Sequence, residues 1–227
     1  MEFQGPLYKF CRWLMRIIQG RFSVPASEDF IQPAVYICRH HNIKGPYLSM
    51  LHLPIAVHLW VLHVFLDKRQ CYRHLVGYTF TKRYGWSKPR AAFLAWLASG
   101  AFSRLARSTG GIPVYRNSLR LRTTLAESAD ALARGENVLL FPDIDYTNTA
   151  ADTGSLYEGF LMVDHFYQKK TGGHVPFVPL HVSESRKLLA IGEPVRIGDE
   201  RTYKEESEAA IEALHERWNQ LSAMYGE

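Results

Sequence analysis

The sequence predicts an α/β fold in which a mainly parallel sheet is flanked by helices. Short apolar runs, typical of strands buried on both faces, lie at residues 34–38, 112–115 and 137–141. Segments with the apolar spacing of helices alternate with these runs, and such alternation favours parallel strand pairing. The chain has 227 residues, of which 47% are hydrophobic, so we expect a single domain with a sizeable core.

Residues 6–21 are expected to form a basic amphipathic helix. Arg12 and Arg16 lie one helical turn apart on one face, and apolar side chains surround the other side. This pattern is typical of a helix in a bilayer interface, so residues 1–24 are interpreted as a membrane-surface helix and residues 25–227 as the main domain. The alternative is a helix that packs its apolar face on the domain and leaves its arginines in solvent. No uninterrupted run of 18 apolar residues is present, and no transmembrane helix is predicted.

The other elements are predicted from periodicity and from the positions of proline and glycine. A helix at 47–66, kinked at Pro54, is expected to precede a strand at 71–81. Further helices are expected at 88–107, 118–134, 156–168 and 202–224. Two prolines should bend the strand at 174–182 or place it at a sheet edge, and residues 188–197 should form a bent strand or a strand pair.

Polar side chains follow several of the predicted strands. The candidates are His40, His41, Lys82, Arg116, Asp143 and Asp145. The carboxyl ends of parallel strands are where open α/β sheets place their ligands, and histidine is the side chain best suited to move a proton near neutral pH. The alternative for each is an ordinary loop or turn residue. Three further histidines, which lack a regular ligand spacing, are interpreted as core or interface residues: His52, His58 and His63.

The composition indicates the cellular compartment and the class of partner that we expect for this protein. The formal net charge of +5 and the pI near 9.1 favour an anionic partner, which includes phosphate, a coenzyme, nucleic acid and a membrane surface. Three cysteines without a C-x-x-C pattern predict neither a disulfide framework nor a zinc site, and they fit a reducing cytoplasm. The basic residues are scattered and form no recognised nucleic-acid motif, so nucleic acid is not an expected partner.

Four short blocks, taken in order, resemble the phospholipid/glycerol acyltransferase family, which includes bacterial 1-acylglycerol-3-phosphate acyltransferases. The first is a histidine after a short strand, within residues 40–46, and the second is a glycine followed by apolar residues and an arginine, at residues 111–116. The third resembles Phe-Pro-Glu-Gly, at residues 141–146, and the fourth is a proline-bearing apolar strand, at residues 175–180. The resemblance covers about residues 33–197 and implies the α/β fold of glycerol-phosphate acyltransferases.

The resemblance also implies a reaction. In the family, a histidine acts as general base on a glycerol hydroxyl, which attacks the thioester of acyl-CoA or of acyl carrier protein. Carried over to this chain, His40 is the base, with His41 beside it. The residues implied in binding a lysophospholipid or glycerol-phosphate acceptor are Lys82, Arg116, Pro142, Asp143 and Asp145. No cofactor or metal is implied, and the expected location is peripheral, on the cytoplasmic face of the cell membrane.

Two departures from the family pattern keep alternatives open. The family's first block has an aspartate that orients the histidine, and this chain has Gly45 at that position. His41, Asp143 or Asp145 would have to serve instead. The third block lacks the usual glycine and arginine, and Asp145 adds negative charge, which favours a less anionic acceptor. The alternatives are a lipid-binding relative without transferase activity and a lipid ester or thioester hydrolase, although no G-x-S-x-G nucleophile motif is present.

Overall fold

The structure is a computed structural model, and it describes residues 3–41, 43–115, 118–143, 156–198 and 200–226. The strands found there are β1 (Val35–Cys38), β2 (Val57–Leu62), β3 (Ile112–Val114), β4 (Asn137–Leu140), β5 (Phe177–Ser183) and β6 (Leu188–Ile191). The α-helices are α1 (Pro6–Gln19), α2 (Lys44–His52), α3 (Lys68–His74), α4 (Lys88–Ser108), α5 (Leu121–Ala133), α6 (Met162–Thr171) and α7 (Tyr203–Tyr225). A π-helix spans Leu75–Arg83, and short 3-10 helices span Ser27–Asp29, His63–Leu66 and Glu158–Leu161.

The chain divides into two compact units. Unit 1 comprises Met1–Cys11 and Leu59–Thr124, and unit 2 comprises Arg12–His58 and Leu125–Glu227. The predicted division at residue 24 is not addressed by this partition and stays a prediction.

Unit 2 is built on strands in the order β4-β1-β5-β6. β1 pairs in parallel with both β4 and β5, and β6 pairs antiparallel with β5. All four residues of β1 and of β4 are buried, as their unbroken apolar runs predict. The long helix α7 covers β5, where Trp218 Nε1 donates a hydrogen bond to the Leu180 carbonyl at 3.1 Å. Unit 2 therefore holds a parallel core with one antiparallel strand.

Unit 1 is mainly helical around a short parallel strand pair. β2 continues into this unit and pairs with β3, with Trp60 opposite Ile112. α3, the π-helix and α4 pack together through Cys71, Leu75 and Ala95, all buried. The strands and helices of the two units confirm the predicted α/β class, in which strand pairing is mainly parallel and helices flank the strands.

Two predicted elements are wrong. Residues 47–66 do not form one kinked helix, because α2 ends at His52 and the residues after Pro54 form β2. The closely spaced apolar residues there fitted a buried helix and a buried strand equally well. Residues 71–81 form helix, not a strand: α3 and the π-helix bury Cys71 and Leu75 against α4. Packing in the fold thus overrides the local β-propensity of this segment.

The proline-bearing segment does not lie at an edge. β5 is an inner strand between β1 and β6, with Pro179 opposite Ile37. Pro176 precedes the strand, and its carbonyl accepts the backbone N–H of Val35 at 2.9 Å. The three histidines that were interpreted as core or interface residues fit that interpretation. His52 stacks on Phe22, His58 Nε2 contacts Glu136 at 3.0 Å, and His63 Nδ1 contacts the Val114 carbonyl at 3.1 Å.

Candidate functional site

The register between β1 and β4 brings His40 and Asp143 next to each other, just beyond the carboxyl ends of these strands. β1 and β4 are parallel neighbours, and Ile37 lies opposite Leu140. His40 follows Ile37 by three residues, and Asp143 follows Leu140 by three residues. The carboxyl ends of two adjacent parallel strands therefore present an imidazole and a carboxylate side by side, which is where α/β sheets commonly bind ligands.

The Asp143 carboxylate is bonded to His40 twice. Its Oδ2 lies 3.0 Å from His40 Nδ1 and also accepts the backbone N–H of His40 at 2.8 Å. The Arg39 guanidinium Nε lies 3.9 Å from the other oxygen, Oδ1. Asp143 and Arg39 are buried, so this positive charge offsets the cost of burying the carboxylate. Arg39 was not among the residues predicted from the sequence, although a basic residue directly before the histidine was a visible signal.

The His40 ring is the accessible member of the pair. Its side chain is 21% exposed, whereas that of Asp143 is 9% exposed. The Phe141 ring lies beside it, with ring centroids 5.1 Å apart. Because a carboxylate only accepts hydrogen bonds, Nδ1 of a neutral His40 carries the proton, and Nε2 carries the lone pair. A neutral imidazole held in this tautomer is suited to accept a proton at Nε2.

The turn after β1 explains the glycine at position 45. His41 has a positive φ of 39°, and the backbone N–H of Gly45 donates to the His40 carbonyl at 2.8 Å. A Cβ at position 45 would lie 1.7 Å from the Arg39 carbonyl oxygen. No side chain fits there without moving the backbone, so an aspartate at position 45 is incompatible with this turn. Of the candidate replacements that the structure describes, Asp143 is the one whose carboxylate contacts the imidazole.

Backbone contacts join Pro142 and Asp143 to residues 156 and 157. Asp143 forms an isolated antiparallel bridge with Leu156, and the backbone N–H of Tyr157 donates to the Pro142 carbonyl at 2.7 Å. Pro142 therefore acts through its carbonyl, which fixes the chain beside the carboxylate. These bonds hold Asp143 in position from its C-terminal side, while the strand β4 holds it from the other.

The structure places the remaining predicted residues differently. His41 is half-buried and lines a small cavity with Cys38, Gly45 and His181. Lys82 belongs to unit 1, where it is exposed near the end of the π-helix. Arg116 and Asp145 lie outside the described residues. Among the described residues, unit 2 thus brings together His40, Pro142 and Asp143, whereas His41 lines the cavity beside Cys38 and His181.

Cys38, at the end of β1, is not suited to act as a nucleophile. Burial raises the pKa of its thiol to about 12, and the Ser49 hydroxyl donates to its sulfur at 3.4 Å. The thiol therefore stays protonated at neutral pH. Within the described ranges, no group of three or more His, Cys, Asp or Glu side chains is arranged to hold a metal ion.

Unit 2 contains a second histidine–aspartate pair, which was not predicted from the sequence. Asp164, in α6, is buried, and its Oδ2 lies 2.7 Å from His174 Nδ1. Its Oδ1 accepts the backbone N–H of Val175 at 2.8 Å. The other ring nitrogen of His174, Nε2, lies 3.2 Å from Gln168 Nε2 and accepts from that amide. Both nitrogens of this imidazole are therefore used within the fold.

The helix α1 turns Arg12 and Arg16 towards the protein and most of its apolar side chains outwards. Arg12 donates to the carbonyls of Leu51 and Leu53, and Arg16 donates to those of Leu51 and His52. These carbonyls lie at the C-terminal end of α2, where the helix dipole attracts cations. The exposed apolar side chains are Leu7, Phe10, Trp13, Leu14, Ile17 and Ile18. The alternative, in which α1 packs its apolar face on the domain and leaves its arginines in solvent, is therefore not what the structure has.

None of the helices in the described ranges combines the length and the hydropathy that a membrane span requires. Comparison of the chain with protein-family models, with curated proteins and with solved structures finds no match.

Proposed function

We propose that this protein is an acyltransferase that moves a fatty acyl group from a thioester donor to a hydroxyl of a lysophospholipid or glycerol-phosphate type acceptor. The observation that carries the proposal is the contact between His40 Nδ1 and Asp143 Oδ2 at the carboxyl ends of two parallel strands. The resemblance of the sequence blocks to phospholipid/glycerol acyltransferases supports the same reaction. Acyl-CoA and acyl carrier protein are the two candidate donors.

The proposed mechanism uses His40 as general base. Nε2 takes the proton of the acceptor hydroxyl while its oxygen attacks the thioester carbonyl carbon. The tetrahedral intermediate then collapses, the C–S bond breaks, and the thiolate leaves with the proton that His40 returns. Asp143 holds the ring in the required tautomer and stabilises the imidazolium that forms between these steps. An ester and a free thiol are the products.

Asp143 takes the role that the family gives to its first-block aspartate. This assignment explains how a chain with Gly45 can retain the reaction, because the carboxylate comes from the end of β4 instead of from the turn after β1. Lys82, Arg116 and Asp145 remain predicted acceptor-binding residues. The outward-facing apolar side of α1 supports a location on a membrane surface, where the lipid acceptor would be found.

A second candidate function is lipid binding without transfer. The observation that favours it is Gly45, since the family's orienting aspartate is absent from its usual position. A hydrolase remains a third reading, in which water replaces the acceptor hydroxyl. The protonated state of Cys38 argues against a cysteine nucleophile next to this histidine.

The test is release of free thiol from palmitoyl-CoA and from palmitoyl-acyl carrier protein, with and without a panel of lysolipid acceptors. We expect release that requires an acceptor and that is lost in His40→Ala. Release without acceptor that still requires His40 would instead identify a hydrolase. A protein that binds lysolipid but releases no thiol from either donor would be a binding protein, and the transferase proposal would fail.

The second histidine–aspartate pair supplies a matched control. His174→Gln changes an imidazole that also contacts a carboxylate through Nδ1, but at a different place in the same unit. We expect this variant to keep the thiol release of the wild type. Equal losses in the two histidine variants would point to general destabilisation and would remove the support for His40 as the base.

A further inference from the structure

Unit 1 is strongly basic, whereas unit 2 is acidic. Unit 1 contains 13 Lys and Arg against two acidic residues, whereas unit 2 contains 14 against 20. No Asp or Glu occurs between residues 68 and 126, a stretch that includes α3, the π-helix and α4. The net charge of +5 is therefore the sum of a large positive charge on unit 1 and a smaller negative charge on unit 2. A basic unit of this kind attracts an anionic surface.

The helix α4 adds an exposed aromatic and aliphatic stripe to this basic unit. Phe93, Trp96 and Leu97 are spaced by three and four residues, so they share one face, and each is more than half exposed. Arg90 lies near the same face, with its guanidinium carbon 4.6 Å from the centre of the Trp86 ring. Aromatic and long cationic side chains together are typical of surfaces that lie at the headgroup level of a bilayer.

A cationic cavity lies between α3 and α4 beside this stripe. Its volume is about 340 Å³, and its lining is Lys68, Arg69, Tyr72, Arg73, Trp96 and Ser99. The three cations are exposed, and the buried Ser99 hydroxyl has no hydrogen-bond partner among the described residues. Asp67 is the acidic residue beside the cavity, and its carboxylate is used to cap α3 by accepting the backbone N–H of Gln70 at 2.8 Å.

We infer that the α3–α4 surface of unit 1, defined by this cavity and by Phe93, Trp96 and Leu97, docks on a membrane rich in anionic phospholipid. The cavity receives a lipid phosphate, because three cations around a concave surface match a phosphate group. The apolar stripe enters the interface beside it. The inference goes beyond the proposed function, because this surface is distinct from α1 and holds whether or not His40 is catalytic.

The test is flotation of the full chain with vesicles of phosphatidylcholine alone and of phosphatidylcholine mixed with phosphatidylglycerol. We expect binding to the anionic vesicles only, and we expect it to weaken as salt is raised. The triple variant Lys68→Glu/Arg69→Glu/Arg73→Glu should reduce binding at least about tenfold, because each cation near an anionic leaflet contributes to attraction. Phe93→Ser/Trp96→Ser should also reduce it, but should leave the salt dependence in place.

Matched controls distinguish the contribution of this surface to vesicle binding from that of net charge and from that of α1. Lys169→Glu/Arg201→Glu/Lys204→Glu makes the same change in net charge on exposed residues of unit 2 and should leave vesicle binding unchanged. An equal loss in this control would overturn the inference. The inference would also fail if Trp13→Ser/Ile17→Ser in α1 abolished binding while both α3–α4 variants bound as the wild type does.

Two competition experiments distinguish the source of the anion. Inorganic phosphate, compared with chloride at equal ionic strength, should not displace the protein from vesicles, because the apolar stripe contributes to docking. Complete displacement by phosphate would indicate a free-phosphate site, and preferential binding of a DNA duplex would indicate a nucleic-acid surface. Turnover of a water-soluble short-chain lysolipid should persist in the triple variant, so loss of docking and loss of transfer can be told apart.

Discussion

The two histidine–aspartate pairs of unit 2 have the same local chemistry and different surroundings. In each, an aspartate Oδ2 lies against a histidine Nδ1, and the same carboxylate accepts a backbone N–H. The Asp143–His40 pair follows two adjacent parallel strands and has Arg39 beside it. The Asp164–His174 pair joins α6 to the segment before β5, and Gln168 donates to its second nitrogen. The contact alone therefore does not distinguish the proposed catalytic pair from the other pair, and the proposal rests on where the Asp143–His40 pair lies in the fold.

The comparison is tested most strongly by replacing the two histidines in turn. His40→Gln should lower acceptor-dependent thiol release about a thousandfold, because general base catalysis contributes two to four orders of magnitude. His174→Gln should leave the rate per folded molecule within about twofold, since its imidazole serves only the fold. Thiol release, corrected for the folded fraction by circular dichroism, measures both. A large loss in His174→Gln would erase the distinction between the pairs.

The next largest effect is expected at the carboxylate. Asp143→Asn should lower the rate about a hundredfold or more, because the imidazole loses the group that fixes its tautomer and stabilises its cation. The sharper experiment adds Gly45→Asp to this variant. Rescue is not expected, since the new Cβ would lie 1.7 Å from the Arg39 carbonyl oxygen. Recovery of activity in the double variant would show that the turn can accommodate the family's aspartate after all.

A third histidine extends the comparison to an imidazole that faces cations instead of a carboxylate. Burial, together with the positive charges of Arg16 and Arg12, lowers the pKa of His52 from 6.5 to about 4. Between these values the unfolded chain binds a proton that the folded chain does not, so stability falls as the pH drops from 6.5 to 4. The free energy of unfolding should decrease by up to about 3 kcal/mol from this group.

Urea denaturation across that pH range measures the effect, with His52→Phe as the comparison. Phenylalanine keeps the stacking on Phe22, whose ring centre lies 3.8 Å from that of His52, and it removes the titrating group. The variant should show a shallower decline than the wild type between pH 6.5 and 4. Parallel curves for the two proteins would mean that His52 does not contribute to acid sensitivity.

The smallest effect is expected at the buried aspartate of the structural pair. Asp164→Asn keeps an oxygen that can accept from Val175, but it weakens the bond to His174. The free energy of unfolding should fall by about 1.5–3 kcal/mol, as is usual for a buried hydrogen bond to a charged group. The rate of thiol release per folded molecule should not change. A rate loss as large as that in Asp143→Asn would assign both pairs to the reaction.

The sequence predicted the strands that form the site but not their adjacency. The apolar runs that became β1 and β4 were visible, and so were the histidine and the aspartate that follow them. Which carboxylate orients His40 depends on the register of β1 against β4, with Ile37 opposite Leu140. That register is a property of pairing between residues about a hundred positions apart, and a local pattern does not encode it.

The two wrong secondary-structure predictions and the missed histidine–aspartate pair also depend on contacts between distant segments. In residues 47–66 and 71–81, side-chain composition and periodicity fitted both helix and strand, and contacts with distant segments decided between them. Cys71 and Leu75 became helical because they pack on α4. The pair formed by Asp164 and His174 was missed because it depends on how α6 sits relative to the start of β5. Amphipathic α1, whose pattern is local, was predicted with nearly its observed bounds.

The bridge between Asp143 and Leu156, with the bond from Tyr157 to Pro142, has a consequence for how the protein can diversify. Both ends of the intervening segment are anchored to one another beside the proposed general base. Insertions, deletions or grafts between these anchors are therefore expected to leave the contact between Asp143 and His40 in place. Residues 144–155 can accordingly be exchanged in laboratory evolution while the proposed base and its carboxylate partner are kept.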